Sequence, residues 1–109
     1  MANPTVAINV PARVETTGTT VVTIPLNPDR FYEMIHRGVN TAGAAAVGNV
    51  FFGVNGFVPT ATFASGEERG TLVSGDPPIA IGPKVSSIKF ITAADSPVID
   101  IFPSGTVSK

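Results

Sequence analysis

Cysteine is absent from this chain of 109 residues. Disulfides, thiolate metal sites and cysteine nucleophiles are excluded together, and the redox compartment is left open. Tryptophan is absent as well. It is the ring best suited to an amphipathic binding platform, so a sugar site would have to use an exposed Tyr32 or Phe57. Histidine occurs once, at His36. With no second His, a transition-metal centre would have to be built from carboxylates. The eight acids (Glu15, Asp29, Glu33, Glu67, Glu68, Asp76, Asp95, Asp100) are scattered along the chain. Only Glu67 and Glu68 are adjacent, and neighbours on a strand point to opposite faces.

Charge is scarce. Charged residues make up 14% of the chain and the net charge is −1, against about 25% charged residues in an average soluble domain. No basic cluster marks a nucleic-acid footprint. No run approaches the roughly 20 apolar residues that span a bilayer. The start, MANPTVAINV, has no basic n-region and does not read as a signal peptide. The nucleophile-elbow pattern G-x-S-x-G is missing, as is the phosphate-binding G-x-x-x-x-G-K-[ST]. The EF-hand spacing is missing too. The chemistry these patterns carry is therefore not expected: no enzyme, no metal, no cofactor, no nucleic-acid partner and no membrane partner.

What the chain does have is eleven Gly and ten Pro set among Val, Ile, Thr and Phe, the composition of short strands joined by turns. Thr5–Val10 alternates, with Val6, Ile8 and Val10 on one face, and Pro11 ends it. Thr19–Ile24, Val50–Val54, Phe57–Phe63, Gly70–Ser74, Ile79–Ile81, Val85–Thr92 and Val98–Phe102 follow as strands. Gly53 inside VFFGV suggests a bulge, and Asn55-Gly56 is a hairpin signal. Turns are expected at Ser65–Glu68, at Gly75–Pro78, at Gly82-Pro83 and at Ala94–Pro97. Ile88, Phe90 and Thr92 share one face of their strand, with Ile88 and Phe90 as core candidates, and Ile99 and Ile101 share the face opposite Asp100. The expected fold is all-β with little or no helix: a single antiparallel β-sandwich or jelly-roll-like barrel of about eight short strands spanning residues 1–109. Residues 1–4 would form a short arm.

One stretch reads two ways. Asn27–Gly38, NPDRFYEMIHRG, is punctuated like a helix, with Asn and Pro at its start and Gly at its end. In strand register Phe31, Glu33, Ile35 and Arg37 share one face, and Tyr32, Met34 and His36 share the other. Periodicity fits both readings. The β surroundings favour a turn over 27–30 and a strand over Phe31–Arg37, with His36 as a hydrogen-bonding structural anchor at the strand end.

From Val39 to Gly66 there is no charged side chain. The run includes loops, which lie at the surface, and interface centres are depleted of charge. Val39, Asn40, Thr41, Ala44, Ala45, Ala46, Val47 and Phe57 are therefore the candidate subunit or partner contacts.

In order, YEMIHRGVNTAG, VFFGVNG, FASGEERGTLVSGDPPIAIGP and VSSIKFITAADSPVIDIFPSG lead a strand into a neutral Gly/Ala loop. An apolar hairpin, a Gly/Pro-broken middle and two closing strands follow. Over about two-thirds of the chain this layout resembles small phage virion structural proteins of the head-decoration (cement) type. The resemblance implies a non-enzymatic protein that binds and stabilises a capsid surface. It also implies capsid or other virion proteins as partners and a homo-oligomer, a trimer suiting local threefold positions. The protein would be made in the host cytoplasm and end on the particle surface. A tail or fibre component, or a carbohydrate-binding adhesin sandwich, shares the same layout.

Overall fold

Eight strands run in chain order as β1 (Ala12–Glu15), β2 (Val22–Pro25), β3 (Arg30–His36), β4 (Val50–Val54), β5 (Gly70–Leu72), β6 (Ile79–Ile81), β7 (Ser87–Thr92) and β8 (Val98–Thr106). The computed structural model describes residues 3–59, 70–92 and 96–106, among which there is no helix. Every pairing is antiparallel, and the pairings follow a simple rule. The first strand pairs with the eighth, the second with the seventh, the third with the sixth and the fourth with the fifth. The chain is thus one long hairpin of four double-stranded segments. Rolled up, it joins β3 to β8 and β4 to β7. The result is two four-stranded sheets ordered β1-β8-β3-β6 and β2-β7-β4-β5. This is the expected sandwich in its jelly-roll form.

Strand alternation puts one face of each sheet into a shared core. Ile24, Tyr32, Met34, Val50, Ile88, Phe90, Ile99 and Ile101 are fully buried there, with Ile8, Val14, Leu26, Phe52, Leu72 and Ile81 completing the cluster. Each such side chain gains about 1.5–3 kcal/mol by leaving water. The stretch with helical punctuation is strand: Tyr32, Met34 and His36 point inward and Phe31, Glu33 and Ile35 outward. Asn27–Arg30 is the expected turn, closed by Arg30 N–H donating to Asn27 O and by Asn27 Oδ1 accepting from Asp29 N–H. The helix-like ends are turn chemistry, and β3 is held by ladders on both sides, which outweigh the propensity of a short helix.

Several sequence expectations are corrected. Thr5–Val10 is not a strand. Only Ile8 turns inward, while Val6 and Val10 are 74% and 68% exposed. The reason lies at the edge of β1, where the Asn3 side chain takes the place of a backbone partner. Its Nδ2 donates to Glu15 O and its Oδ1 accepts from Glu15 N–H, at 2.9 and 2.8 Å. Asn3 and Pro4 therefore lie on their own chain and are no free arm; Met1 and Ala2 lie outside the described residues. Strand β1 itself, ARVE, carries two charges and shows little alternation, so it escapes a pattern search. Thr19–Ile24 shortens to Val22–Pro25 because Thr17–Thr20 closes a turn, Thr20 N–H donating to Thr17 O. Strand β8 runs on to Thr106, with a register shift between Phe31 and Tyr32 that leaves Ser104, between Pro103 and Gly105, as the extra residue.

Asn55 and Gly56 form the left-handed turn their identities suggest, at φ +53° and +92°. Residues 57–59 are not a returning strand, and 60–63 lie outside the described residues, as does the expected turn at Ser65–Glu68 and part of that at Ala94–Pro97. Nor does Gly53 mark a bulge, since the β4–β7 register is continuous through it. A Cβ on Gly53 would lie 2.5 Å from the carbonyl oxygen of Phe57. The position is bare because the chain folds back across β4.

The fully buried phenol of Tyr32 donates to Ile8 O at 2.7 Å and accepts from Asn27 N–H at 2.8 Å. It ties the segment before β1 to the β2–β3 turn. Replacing it, Tyr32→Phe, leaves a donor and an acceptor unpaired and is expected to cost about 1–3 kcal/mol in denaturant unfolding. Ile88→Ala, at the centre of β7, is expected to cost about 2–5 kcal/mol in the same measurement.

Candidate functional site

The rolled topology sorts the connections onto two ends. At the upper pole, as we term it, lie the β1–β2, β3–β4, β5–β6 and β7–β8 connections; at the lower pole lie the β2–β3, β4–β5 and β6–β7 connections and the entry to β1. The charge-free run enters the upper pole through the β3–β4 connection, residues 37–49, which is where most of the candidate contact residues sit.

This loop is built around Asn40. Its Oδ1 accepts from Ala42 N–H and Ala44 N–H at 2.9 and 3.0 Å, while its backbone N–H donates to Ala44 O at 2.9 Å. Gly43, at φ +84°, occupies the left-handed corner of the turn. Val39 bridges Ala45, and Ala46 N–H donates to Gly38 O, so the loop is a small closed finger. An asparagine side chain saturates the turn without bringing charge.

The finger is fastened to the sandwich by buried polar groups. His36, 6% exposed, accepts at Nδ1 from Gly38 N–H at 3.0 Å and donates from Nε2 to Gly48 O at 2.7 Å. A backbone N–H can only donate and a carbonyl can only accept, so the two contacts assign the proton to Nε2. One imidazole thereby spans both ends of the loop. Val39 O accepts from Val98 N–H, tying the finger to β8. Beside it, Thr16 Oγ1 donates to Pro97 O at 2.7 Å, and Thr92 Oγ1 and N–H both reach Gly18 O. Both threonine side chains are buried.

The candidate contacts divide. Val39, Thr41, Ala44, Ala45 and Val47 are exposed, and Asn40 is half-buried within its turn. Ala46 is corrected: at 3% exposure it packs beneath the loop, its backbone pinned to Gly38, and presents nothing to a partner. Phe57 lies at the other pole, half-buried over Gly53, and so is separate from the rest. Tyr32 is wholly buried, which removes it as a sugar platform. Val73, 37% exposed on the β5–β6 connection, joins the upper pole, since the neighbouring Ser74 Oγ lies 2.8 Å from where a Gly38 Cβ would stand. Sequence reading missed it because Val73 lies well beyond the loop in the chain and looks like the end of a strand.

Charge stands at the foot of the finger, at Arg37, and on the β5–β6 connection, at Asp76. On the outer face of the β1-β8-β3-β6 sheet, Asp100 lies between Arg37 and Arg13, at 3.4 and 3.9 Å, beside a shallow hollow lined by Pro11, Ala12 and Phe102. Exposed pairs of this kind add about 0–1 kcal/mol. Among the described residues no group of His, Asp and Glu is placed to hold a metal ion.

No family model and no curated protein matches the chain. A solved structure, described by the words "Bacillus endospore appendages form a novel family of disulfide-linked pili", shares its fold. The TM-score is 0.50 at 18% sequence identity, over 91% of this chain and 85% of that one. The likeness establishes the sandwich architecture over nearly the whole chain.

The His36 bonds make a direct prediction. His36→Phe fills the space but removes the acceptor for Gly38 N–H and the donor to Gly48 O. Amide hydrogen exchange is expected to accelerate at residues 38–48 by more than about tenfold while Phe90 and Ile101 keep their protection. Unchanged exchange in the loop contradicts the anchoring role.

Proposed function

We propose that this protein is a non-enzymatic structural subunit that assembles with copies of itself into an oligomer or polymer at the surface of a particle or cell. The observation that carries this reading is the upper pole. Its β3–β4 finger is tied down by uncharged hydrogen bonds while leaving Val39, Ala44, Ala45 and Val47 at the surface, and Val73 is exposed on a neighbouring connection. Surface apolar residues scattered singly need no explanation, but a charge-depleted cluster on an ordered scaffold has the composition of an interface centre. The shared fold with an appendage protein described as forming pili supports the reading by analogy of architecture. This chain has no cysteine, so contacts between these residues would be non-covalent and held by shape and apolar burial.

The second reading is attachment to a phage capsid as a decoration protein. The jelly-roll strand order favours it, because viral shell proteins use the same order. The two readings share a structural role and differ in partner. Polymerisation of the purified chain supports the first, and co-sedimentation with particles without self-assembly supports the second.

Ala45→Asp separates interface from fold. Ala45 is exposed, so the substitution is expected to change unfolding free energy by about 0.5 kcal/mol or less. Self-association, followed by sedimentation across a concentration series, is expected to weaken by at least about tenfold, or 1.4 kcal/mol. A variant that melts early but assembles normally overturns the assignment of this loop.

A further inference from the structure

We propose that His36 makes the β3–β4 finger acid-sensitive: a proton taken up at Nδ1 breaks the bond to Gly38 N–H and releases that end of the finger.

The geometry gives the imidazole two different tasks. Nε2 donates to Gly48 O at 2.7 Å, and Nδ1 accepts from Gly38 N–H at 3.0 Å. An imidazolium has no acceptor left, since both ring nitrogens then carry hydrogen. Protonation in place would set two donors, Nδ1–H and Gly38 N–H, against each other. The ring is 6% exposed, so water has little access to either group. Gly38 has little room to withdraw. It stands at φ +74°, and a Cβ there would lie 2.8 Å from Ser74 Oγ. Proton uptake and the closed finger therefore exclude each other at this atom. The donation from Nε2 to Gly48 survives protonation, so the end at Gly38 is the one set free.

The charged groups on the neighbouring elements are turned elsewhere. Arg37, next in the chain, reaches Asp100 of β8 at 3.4 Å, and Arg13 of β1 meets the same carboxylate from the other side. Glu15 of β1 alternates with the buried Val14, and Glu33 of β3 alternates with the buried Tyr32 and Met34. The phenol of Tyr32 is taken up by Ile8 and Asn27. Lys89 of β7 is bonded to Thr23, and Asp76 is exposed on the β5–β6 connection. Strands β4, β5 and β6 carry no charge, nor does the finger beyond Arg37. Asp95 lies outside the described residues. Among the described residues, the polar contacts of the ring are thus two backbone groups, with no carboxylate to hold an imidazolium in place.

The bonds that follow Gly38 report the release. Ala46 N–H donates to Gly38 O, and Val98 N–H donates to Val39 O. In a subunit that assembles through this finger the same proton would favour disassembly; that consequence alone rests on the self-assembly reading. The test reads order within one chain and is independent of it.

Amide exchange of the full chain is followed at about pH 7.5 and about pH 5, which bracket the ordinary imidazole value of about 6.5 and stay above the carboxylate range. Rates are expressed as protection relative to an unstructured chain at the same pH. Protection of Gly38, Ala46 and Val98 is expected to fall at least about tenfold at the lower pH, because the open finger binds the proton and the closed one does not. Phe90 and Ile101 are expected to keep theirs. Nitrogen NMR of the ring is expected to show hydrogen on Nε2 alone at the upper pH and on both nitrogens at the lower. His36→Gln takes up no proton and is expected to give equal protection at both pH values; should it fail to fold, the ring spectrum of the parent chain decides. A ring that stays neutral at about pH 5, or becomes doubly protonated with the finger still protected, overturns the proposal. So does a loss that His36→Gln shares or that extends to Phe90 and Ile101.

Discussion

Both ends of the sandwich depend on β3. Its inward face carries a phenol near one end, Met34 in the middle and an imidazole at the other. Tyr32 reaches down to bind Ile8 and Asn27, and His36 reaches up to bind Gly38 and Gly48. Both side chains are amphipathic: the rings contribute to a dry interior while a polar atom satisfies backbone groups that leave the ladders. β3 lies inside its sheet, paired to β8 over its whole length and to β6 over part. Whatever holds β3 in register therefore also sets the position of the N-terminal segment and of the neutral loop.

That arrangement explains how a chain so poor in charge can present an ordered surface. Loops commonly owe their order to ion pairs or to bound ions. Here the work is divided among Asn40, His36, Thr16, Thr92 and Asn55, all uncharged as they act, and all bonded to backbone. A surface fixed in this way suffers no charge desolvation when covered and loses little entropy in docking. These properties suit the self-assembly proposed above.

The β class, the core pairs Ile88/Phe90 and Ile99/Ile101, and the strand nature of residues 31–36 were legible because alternation and turn residues act locally. The limits were equally physical. Val6, Ile8 and Val10 alternate as a strand does, but a single side-chain amide from Asn3 takes the place of the ladder they would need. β1 was invisible because two of its four residues are charged and only its neighbour β8 makes it a strand. The neutral loop was found from its missing charge. That Ala46 lies beneath it, that Val73 joins it from another connection, and that Phe57 lies at the opposite pole depend on rolling the hairpin, which no local pattern encodes. His36 was read as an anchor from its place at a strand end, and its partners came only with the fold.

The central claim is that the neutral β3–β4 finger is an assembly contact. The measurement that meets it most directly is an electron-microscopic reconstruction of the polymer formed by the purified chain, at a resolution that shows strand direction. The account predicts the β3–β4 finger, residues 37–49, at the contact between subunits. Subunits joined edge to edge through extended sheets, with the finger left in solvent, would contradict it.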